Sequence, residues 1–323
     1  DEWGGSYQNR MRFPLEVVRQ IREEVGTDFI LMFRLSMLDL VEEASEIDEV
    51  IELAKELEKA GINLINTGIG WHEARVPTIV TSVPRAAFAD VTARVKKELS
   101  IPVIASNRIN MPDVAEEIIS SGKADMVSMA RPFLADSEWV NKAAEGRADE
   151  INTCIACNQA CMDHALTGQL VSCLVNPRAC HETELNYLPT KTAKRVAVIG
   201  AGPAGLAYAT IAAQRGHDVT LYESNDKIGG QFNIAKRIPG KEEFTETLRY
   251  YGKQLELTGV TVKLNHKATQ KELVEENFEK IILATGIEPR TPDIEGINHP
   301  KVISYLDAIQ DKKPIGKKVA IIG

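Results

Sequence analysis

Four cysteines with the spacing Cys-x2-Cys-x3-Cys-x11-Cys are the most distinctive chemistry in the sequence. They are Cys154, Cys157, Cys161 and Cys173. Three thiolates this close can surround one face of a compact cluster that the fourth closes, which is the ligand requirement of a [4Fe–4S] centre. Zinc is the first alternative, although structural zinc sites usually show two separated ligand pairs. Disulfides are the second, and they are rare in chains without a secretion signal. We expect Cys180 to be a small buried hydrophobic residue.

A glycine-rich turn, GAGPAG, follows an apolar run and opens a helical segment. In this G-x-G-x-x-G pattern Gly200 allows the tight turn, Gly202 lets a pyrophosphate approach the backbone, and Gly205 lets the helix pack on the strand. The amino end of the helix supplies N–H groups for phosphates. Glu223, at the end of the next strand, can accept the ribose hydroxyls. These features predict a dinucleotide site, and the alternative is an ordinary glycine-rich turn.

Two further patterns favour FAD as the dinucleotide. Gly229-Gly230 follows Glu223, and Ala284-Thr285-Gly286 follows a later strand-like run; both resemble patterns of flavoproteins that bind two dinucleotides. The run Lys318–Gly323 repeats the pattern of Arg195–Gly200, in which a basic residue is followed by an apolar run and a glycine. We therefore expect the first strand of a second, NAD(P)-binding fold there, whose residues do not distinguish NADH from NADPH.

Arginines follow strand-like runs in the first 150 residues. Arg34, Arg108 and Arg131 each come after one such run, and His72 comes after another through a short loop. Active sites of parallel barrels lie at these strand ends. Three arginines there would face one anionic ligand. On spacing alone, His72 is more readily an ordinary surface or core histidine than a catalytic one.

The elements that position these residues alternate between strand and helix, which predicts a parallel sheet with crossover helices. A complete eight-unit barrel needs about 250 residues. The four units therefore indicate either half of a barrel or a small open α/β sheet. The strand-like runs are Phe29–Phe33, Ile62–Asn66, Ile101–Ala105 and Met126–Met129. The helical segments are Met11–Glu24, Glu46–Lys59, Arg85–Glu98, Pro112–Ser121 and Ser137–Glu145.

A second α/β pattern starts at Lys194, after the cysteine segment. Its predicted strands are Arg195–Ile199, Asp218–Tyr222, Val260–Asn265 and Lys280–Ala284, and its helices are Ala204–Arg215 and Glu242–Leu257. We expect four parts: residues 1–148, the cysteine segment 149–190, a dinucleotide domain 191–312 and the start of another at 313–323.

The composition excludes some classes of function. The 323 residues are 44% hydrophobic and 26% charged, with a formal charge of −8, which indicates folded domains. The excess of acid argues against a general binder of nucleic acids or anionic membranes. No signal peptide is visible, so we expect a cytoplasmic protein. Because the chain lacks an initial Met and ends on a strand-like run, we interpret it as an internal piece of a longer protein.

The order of these motifs resembles the iron–sulfur flavoenzymes of the old yellow enzyme and trimethylamine dehydrogenase group. Five stretches look most like bacterial NADPH-dependent 2,4-dienoyl-CoA reductases: TGIGWHEAR (67–75), MVSMARPFLAD (126–136), EINTCIACNQAC (150–161), SCLVNPRACHE (172–182) and GGQFNIAKRIPGKEEF (229–244). The resemblance implies an α/β protein. It would contain the C-terminal half of a (β/α)8 TIM barrel, an iron–sulfur segment, a Rossmann-like FAD domain and the first strand of an NAD(P) domain.

The resemblance also implies an activity. Electrons would pass from NADPH to FAD, to the [4Fe–4S] cluster, to FMN and finally to a 2,4-dienoyl-CoA, giving an enoyl-CoA in fatty-acid β-oxidation. The alternatives are a related enzyme for an amine or another enoate, and an electron-transfer module without substrate chemistry of its own. The family's catalytic Tyr lies earlier in the barrel than Asp1. We therefore expect residues 1–323 alone to bind little FMN and to reduce no dienoyl-CoA.

By position, the resemblance assigns each candidate residue a role. Arg34 would lie against the flavin pyrimidine edge, Arg108 and Arg131 would hold the FMN phosphate beside the backbone of Ala130, and His72 would deliver a proton to the substrate. The implied FAD contacts are Gly200, Gly202, Ala204, Gly205, Glu223, Gly230, Gln231, Lys241, Ala268, Ala284 and Gly286.

Overall fold

A computed structural model describes residues 2–71, 74–310 and 313–322. The chain divides into two compact units, residues 1–180 and 181–323, so the cysteine segment up to residue 180 belongs to the first unit.

The first unit is built on a parallel sheet in which strand order follows chain order. Sequential order is the pattern of neighbouring strands in a (β/α)8 barrel, whereas doubly wound sheets reverse direction at a switch point. The strands are β1 (Met32–Leu38), β2 (Leu64–Ile69), β3 (Val103–Ala105) and β4 (Met126–Val127). The helices are α1 (Tyr7–Val25), α2 (Ile47–Ala60), α3 (Ala89–Lys96), α4 (Pro112–Ser120), α5 (Arg131–Ala135), α6 (Trp139–Ala144) and α7 (Met162–Leu166), with a 3₁₀ turn at Ala148–Glu150.

The first two strands begin and end later than predicted. In β1, Leu35 and Met37 are buried while Arg34 and Ser36 alternate with them, so polar residues continue the strand beyond the apolar run. Parallel pairing continues with it, because Arg34 is the partner of Asn66 and Ser36 is the partner of Gly68. The prediction that Arg34 follows the strand is therefore wrong, since it lies inside β1.

A buried carboxylate ties the start of the cysteine segment to helix α6. Asp136 Oδ2 accepts hydrogen bonds from Lys142 Nζ at 2.7 Å and from the Asn152 backbone N–H at 2.8 Å. The Asp136 side chain is 6% exposed and that of Lys142 is 17% exposed, so both charges are largely out of water. This group fixes where the chain enters the cysteine segment.

Removing this carboxylate should destabilise the first unit. Asp136→Ala removes the counter-charge of the Lys142 ammonium, which keeps only its hydrogen bond to the Glu150 carbonyl, and the acceptor of the Asn152 N–H. Losing one member of a buried pair costs about 3–5 kcal/mol. We expect a clearly lower midpoint in denaturant unfolding of the full-length protein. The control is Glu116→Ala, at an exposed position on α4, and equal midpoints for the two variants would contradict the assignment.

The second unit is also a parallel α/β sheet, with strand order β7-β6-β5-β8. Strand order reverses at β5, which makes the edge between β5 and β8 the switch point where such sheets bind ligands. The strands are β5 (Arg195–Ile199), β6 (Asp218–Tyr222), β7 (Thr261–Lys263) and β8 (Lys280–Leu283). The helices are α8 (Pro203–Gln214), α9 (Phe232–Ala235), α10 (Phe244–Thr258), α11 (Gln270–Glu275) and α12 (Tyr305–Ile309).

The predicted strand at Lys318–Gly323 is not formed over the residues that the structure describes there, which end at Ile322. A strand exists only when another strand accepts its hydrogen bonds, and Ile321 and Ile322 are instead 93% and 73% exposed. Gly323 lies outside the described residues. Within the described parts of the chain, no helix has both the length and the apolar character needed to cross a membrane.

Candidate functional site

A pocket of about 330 Å³ lies at the carboxyl ends of the strands of the first unit, within the size range of small-molecule sites. Arg34, Arg108 and Arg131 line it together with Ala130, and we call it the arginine pocket. The structure thus brings together four of the residues predicted for FMN. The described residues that line the pocket include no Asp or Glu. Three guanidinium groups without a carboxylate suit a phosphate, which they can bind bidentately.

Asparagine side chains that were not predicted from the sequence hold two of these arginines, Arg34 and Arg131. Arg34 Nη1 donates a hydrogen bond to Asn66 Oδ1, and Asn66 Nδ2 donates to Ser128 Oγ at 2.9 Å. Arg108 is buried, and its Nε donates to the Val83 carbonyl at 2.6 Å. A polar residue at the end of an apolar run was the signal for Asn66, but its partner depends on the pairing of β1 with β2.

Four residues in and around this pocket have a strained backbone. Asn107, Arg108, Ala156 and Asn158 are non-glycine residues with φ between +52° and +69°. Left-handed backbone costs a residue with a Cβ roughly 1–2 kcal/mol. Such conformations persist where the surrounding structure imposes them, and they cluster at ligand sites.

The predicted catalytic residue, His72, lies outside the described residues. Its predicted role in proton delivery therefore stays a prediction.

The four cysteines of the spacing motif line a second pocket in the same unit, which we call the cysteine pocket. Arg131, Cys154 and Ala156 line both pockets, so the two are adjacent. Side chains from the barrel-like part hold this segment by its backbone carbonyls. Asn110 Nδ2 donates to the Cys154 carbonyl at 3.0 Å, and Thr81 Oγ1 donates to the Ile155 carbonyl at 2.9 Å.

Backbone amides point at three of the thiol sulfurs. Ala156 hydrogen-bonds to Cys154, Gln159 to Cys157, and Val175 to Cys173, each from two residues further along the chain. Burial raises the pKa of the Cys154 thiol to about 11, and these amide bonds act against it. Burial likewise raises the pKa of Cys157 and of Cys173. Thiols of this kind are protonated near neutral pH, so a metal that binds them must displace their protons.

The number and type of the donors, four cysteine thiols, are those that a [4Fe–4S] cluster takes. Among the described residues, no three His, Cys, Asp or Glu side chains are arranged to hold one metal ion. A [4Fe–4S] cluster takes one thiolate per iron, so its ligands stand further apart than those of one zinc. The four thiols and their amide donors match that need in number and type. The pocket itself is about 20 Å³, so the thiols would have to turn outward around a cluster. The cluster therefore stays a prediction.

The interpretation of Cys180 as buried is wrong, because its side chain is exposed. It lies at a turn with φ of +63°, where the chain runs along the surface instead of entering a core. None of the five cysteines, all of which the structure describes, forms a disulfide.

The glycine-rich turn of the second unit lies at the switch point between β5 and β8. Gly200 has φ of +104°, and a Cβ there would lie 2.4 Å from the Ala284 carbonyl oxygen. A Cβ on Gly205 would lie 1.9 Å from the Gly200 carbonyl oxygen, whereas one on Gly202 would meet nothing within 4 Å. Gly230 packs against Gly202. The backbone is thus tight at the first and third glycines and open at the second.

Glu223 is buried beneath this turn and already accepts four hydrogen bonds. Its Oε2 accepts from the Ala201 N–H at 2.9 Å, and its Oε1 accepts from the Asn225 backbone, the Asn225 side chain and Ser224. Burial raises the pKa of Glu223, but these bonds outweigh it and hold the pKa below its ordinary value. Since three of these bonds go to Oε1, a ribose hydroxyl would have to bind at the second lone pair of Oε2 or displace a donor from Oε1. The structure gives Glu223 a role in fixing the turn that the sequence did not suggest.

The other residues predicted for FAD are more dispersed. Gln231 Nε2 donates to the Ile287 carbonyl at 3.1 Å, and Lys241 lies exposed at the turn before α10. Ala268 packs against the small core cluster around Tyr222. Ala204 lies in the first turn of α8, and Gly286 has φ of +77° in the segment after β8. The structure leaves their roles as predictions.

Comparisons with known proteins agree with this two-part architecture. Residues 1–150 match the NADH:flavin oxidoreductase / NADH oxidase family, and residues 194–323 match the pyridine nucleotide-disulphide oxidoreductases. Both parts of the chain therefore resemble flavoenzyme families. The first of these families is one of FMN domains in a TIM barrel, and the second is one of FAD- and NAD(P)-binding domains.

Three relatives illustrate the range of the group. A metal reductase of Desulforamulus reducens is 41% identical over all of this chain and 49% of its own length. A cinnamate reductase of Clostridium sporogenes is 34% identical over all of this chain and 50% of its own length. A solved 2-naphthoyl-CoA reductase in complex with 2-naphthoyl-CoA has a TM-score of 0.94 and 38% identity, covering 98% of this chain and 48% of its own. The chain spans about half the length of these relatives.

Proposed function

We propose that the protein containing this chain is an NADPH-dependent reductase of conjugated acyl-CoA thioesters. Its first candidate substrate is a 2,4-dienoyl-CoA, reduced to an enoyl-CoA in fatty-acid β-oxidation. The observation that carries the proposal is the adjacency of the arginine pocket and the cysteine pocket, which share Arg131, Cys154 and Ala156. A flavin site beside a one-electron relay is the arrangement that such a reductase needs.

The residues of the arginine pocket suit FMN. Bound FMN would supply hydride transfer to an electron-poor double bond. Arg34, held by Asn66, carries a fixed positive charge from within β1, which would stabilise negative charge on the flavin ring. Arg108 and Arg131 would bind the phosphate. Since Arg108 is buried and its Nε is held by the Val83 carbonyl, it needs little reorganisation to do so.

The remaining cofactors would be held by the other two sites. Four thiolates in the cysteine pocket would hold a [4Fe–4S] cluster, which supplies one-electron transfer between two-electron carriers. The open backbone at Gly202 would admit the pyrophosphate of FAD, while the amino end of α8 offers N–H groups to it. NADPH is the proposed electron source. We also propose the four-part division at residues 148, 190 and 312, with a cytoplasmic location.

The substrate class rests on the relatives. Two of them reduce or bind compounds in which a double bond is conjugated with a carbonyl group, namely the cinnamate reductase and the 2-naphthoyl-CoA reductase. A dienoyl thioester has the same electron-poor conjugated system. The metal reductase favours a second candidate, an electron-transfer protein that passes electrons from NADPH to metal ions.

The test uses the full-length protein under anaerobic conditions with NADPH. We expect the absorbance of 2,4-dienoyl-CoA to fall with NADPH consumption, and cinnamate and a secondary amine to react slowly or not at all. Turnover of ferric iron without any of these organic substrates would support the electron-transfer candidate. Turnover of the amine alone would identify an amine dehydrogenase and would contradict the proposal.

His72 provides a residue-level test of the same proposal. His72→Ala should slow dienoyl-CoA reduction by about 10²–10⁴-fold, the usual contribution of a positioned proton donor. Reduction of FMN by NADPH should stay nearly unchanged, because electron supply does not need that proton. The two half-reactions are followed separately by stopped-flow absorbance. Equal slowing of both would rule out a role in proton delivery.

A further inference from the structure

The Asn158 side chain joins the arginine pocket to the loop that carries Cys157. It directly follows Cys157 and lines the cysteine pocket. Its Oδ1 accepts a hydrogen bond from Arg131 Nη1, and its Nδ2 donates to the Ile79 carbonyl at 2.9 Å. Arg131 and Ile79 both line the arginine pocket. One amide therefore connects two points on that pocket with the loop that carries a predicted cluster ligand.

The chemistry of the two partners requires an amide at this position. A guanidinium only donates hydrogen bonds, so it must face the amide oxygen, and a carbonyl only accepts, so it must face the amide NH₂. Rotating the amide by 180° would oppose donor to donor and acceptor to acceptor. A carboxylate could satisfy Arg131 but not the Ile79 carbonyl, and an alkyl group could satisfy neither.

The backbone at this position also favours asparagine. Asn158 has φ of +62°, in the left-handed region that asparagine and glycine adopt more readily than other residues. Ala156, two residues earlier, also has positive φ, so the loop between Cys154 and Cys157 is tightly curved. The two hydrogen bonds of the Asn158 amide oppose relaxation of this strained loop.

We propose that Asn158 is a positioning residue, which fixes the Arg131 guanidinium in the arginine pocket and anchors the loop that carries Cys157. The inference rests on the proposed function, because it takes FMN as the ligand of the arginine pocket and iron as the ligand of the cysteine pocket. Two bonds from one side chain make the two sites interdependent. A change at Asn158 should therefore affect both FMN affinity and cluster retention without removing a ligand of either.

The first measurement is a double-mutant cycle on FMN affinity, read from flavin fluorescence in the full-length protein. Asn158→Gly keeps the left-handed backbone and removes both side-chain bonds, so FMN should bind about tenfold more weakly. In an Arg131→Met background the same change should cost less than about twofold, because Asn158 acts through that guanidinium. The control is Gln169→Ala, at an exposed position of the same segment and not among the described residues that line either pocket.

The second measurement is the rate at which a chelator removes iron from the purified protein. Asn158→Gly should lose iron severalfold faster than Gln169→Ala, since its loop is no longer anchored. If Asn158→Gly does not fold, the isosteric Asn158→Asp replaces it. Its carboxylate repels the Ile79 carbonyl, so iron retention should again fall. It still pairs with Arg131, but its negative charge offsets the positive charge of the guanidinium, so FMN affinity should fall as well.

The inference would be overturned if the effects of the two substitutions on FMN affinity were additive in the cycle. It would also be overturned if Asn158→Gly released iron at the same rate as the control. A protein that binds neither FMN nor iron before any substitution would contradict the proposed function instead. A protein that binds both and is insensitive to either change at Asn158 contradicts this inference alone.

Discussion

Gly202→Val should abolish FAD binding while leaving the second unit folded. A Cβ at Gly202 meets nothing within 4 Å, so the protein itself has room for the first atom of a new side chain. The valine would occupy the space through which a pyrophosphate must approach the backbone. We expect FAD content below about a tenth of that of the unsubstituted protein, a loss of more than about 1.4 kcal/mol in affinity. Far-ultraviolet circular dichroism should be unchanged.

Gly205→Ala, in contrast, should destabilise the fold of the second unit as well as prevent FAD binding. Its Cβ would lie 1.9 Å from the Gly200 carbonyl oxygen, which is backbone and cannot rotate away. Helix α8 would have to move off β5, at a cost of about 4–5 kcal/mol or more. We expect little soluble protein, or a strongly lowered unfolding midpoint in addition to lost FAD.

Gly252→Ala is the matched control for both changes. Gly252 lies within α10, where a Cβ makes an ordinary contact of 3.9 Å with Ile228, and alanine is the better helix former. FAD content should stay unchanged. Normal FAD content in Gly202→Val would refute the predicted pyrophosphate site, and a stable Gly205→Ala protein would refute the packing argument.

Local sequence patterns predicted the parts of the fold that local forces determine. The strand–turn–helix at Arg195–Gln214 needs only neighbouring residues: a buried strand, a tight turn and a helix start. Its bounds agree with the prediction to within one residue. The α/β class also followed from alternating periods, which are local properties of strands and helices.

The features that the sequence did not predict depend on contacts between segments that lie far apart in the chain. The strand β1 extends through Arg34 because β2 pairs with it 32 residues later, and no local signal announces that partner. The same holds for Asn158, whose partner Arg131 precedes it by 27 residues. A run such as Lys318–Ile322 shows the converse, since a strand-like pattern does not form a strand without a neighbour.

The electrostatic role of Glu223 could not be predicted from the sequence either. The pattern identified Glu223 as an acid after a strand, but the donors that surround it come from the turn at Ala201 and from Asn225. Only the folded arrangement shows that the carboxylate holds the glycine-rich turn. The three arginines are a contrasting case, because strand ends of a parallel sheet must meet at one edge.

Cys157→Ser should remove the iron and its visible absorbance while FMN is retained. Cys157 lines only the cysteine pocket, whereas Cys154 also lines the arginine pocket, so Cys157 is the cleaner position for this test. Serine keeps the size of the side chain but offers a hard oxygen in place of a soft sulfur ligand. We expect iron per chain to fall below about a tenth of its original value and FMN content to change by less than about twofold, in keeping with four-thiolate ligation.

Cys180→Ser is the matched control for this change, because Cys180 is exposed and is not among the described residues that line the cysteine pocket. Iron content should be unaffected by it. Iron and zinc are measured together on the same samples, since zinc in place of iron in the unsubstituted protein would select the alternative metal. Full iron content in Cys157→Ser would show that the thiols which converge on this pocket do not bind the cluster, and the one-electron relay would have to lie elsewhere.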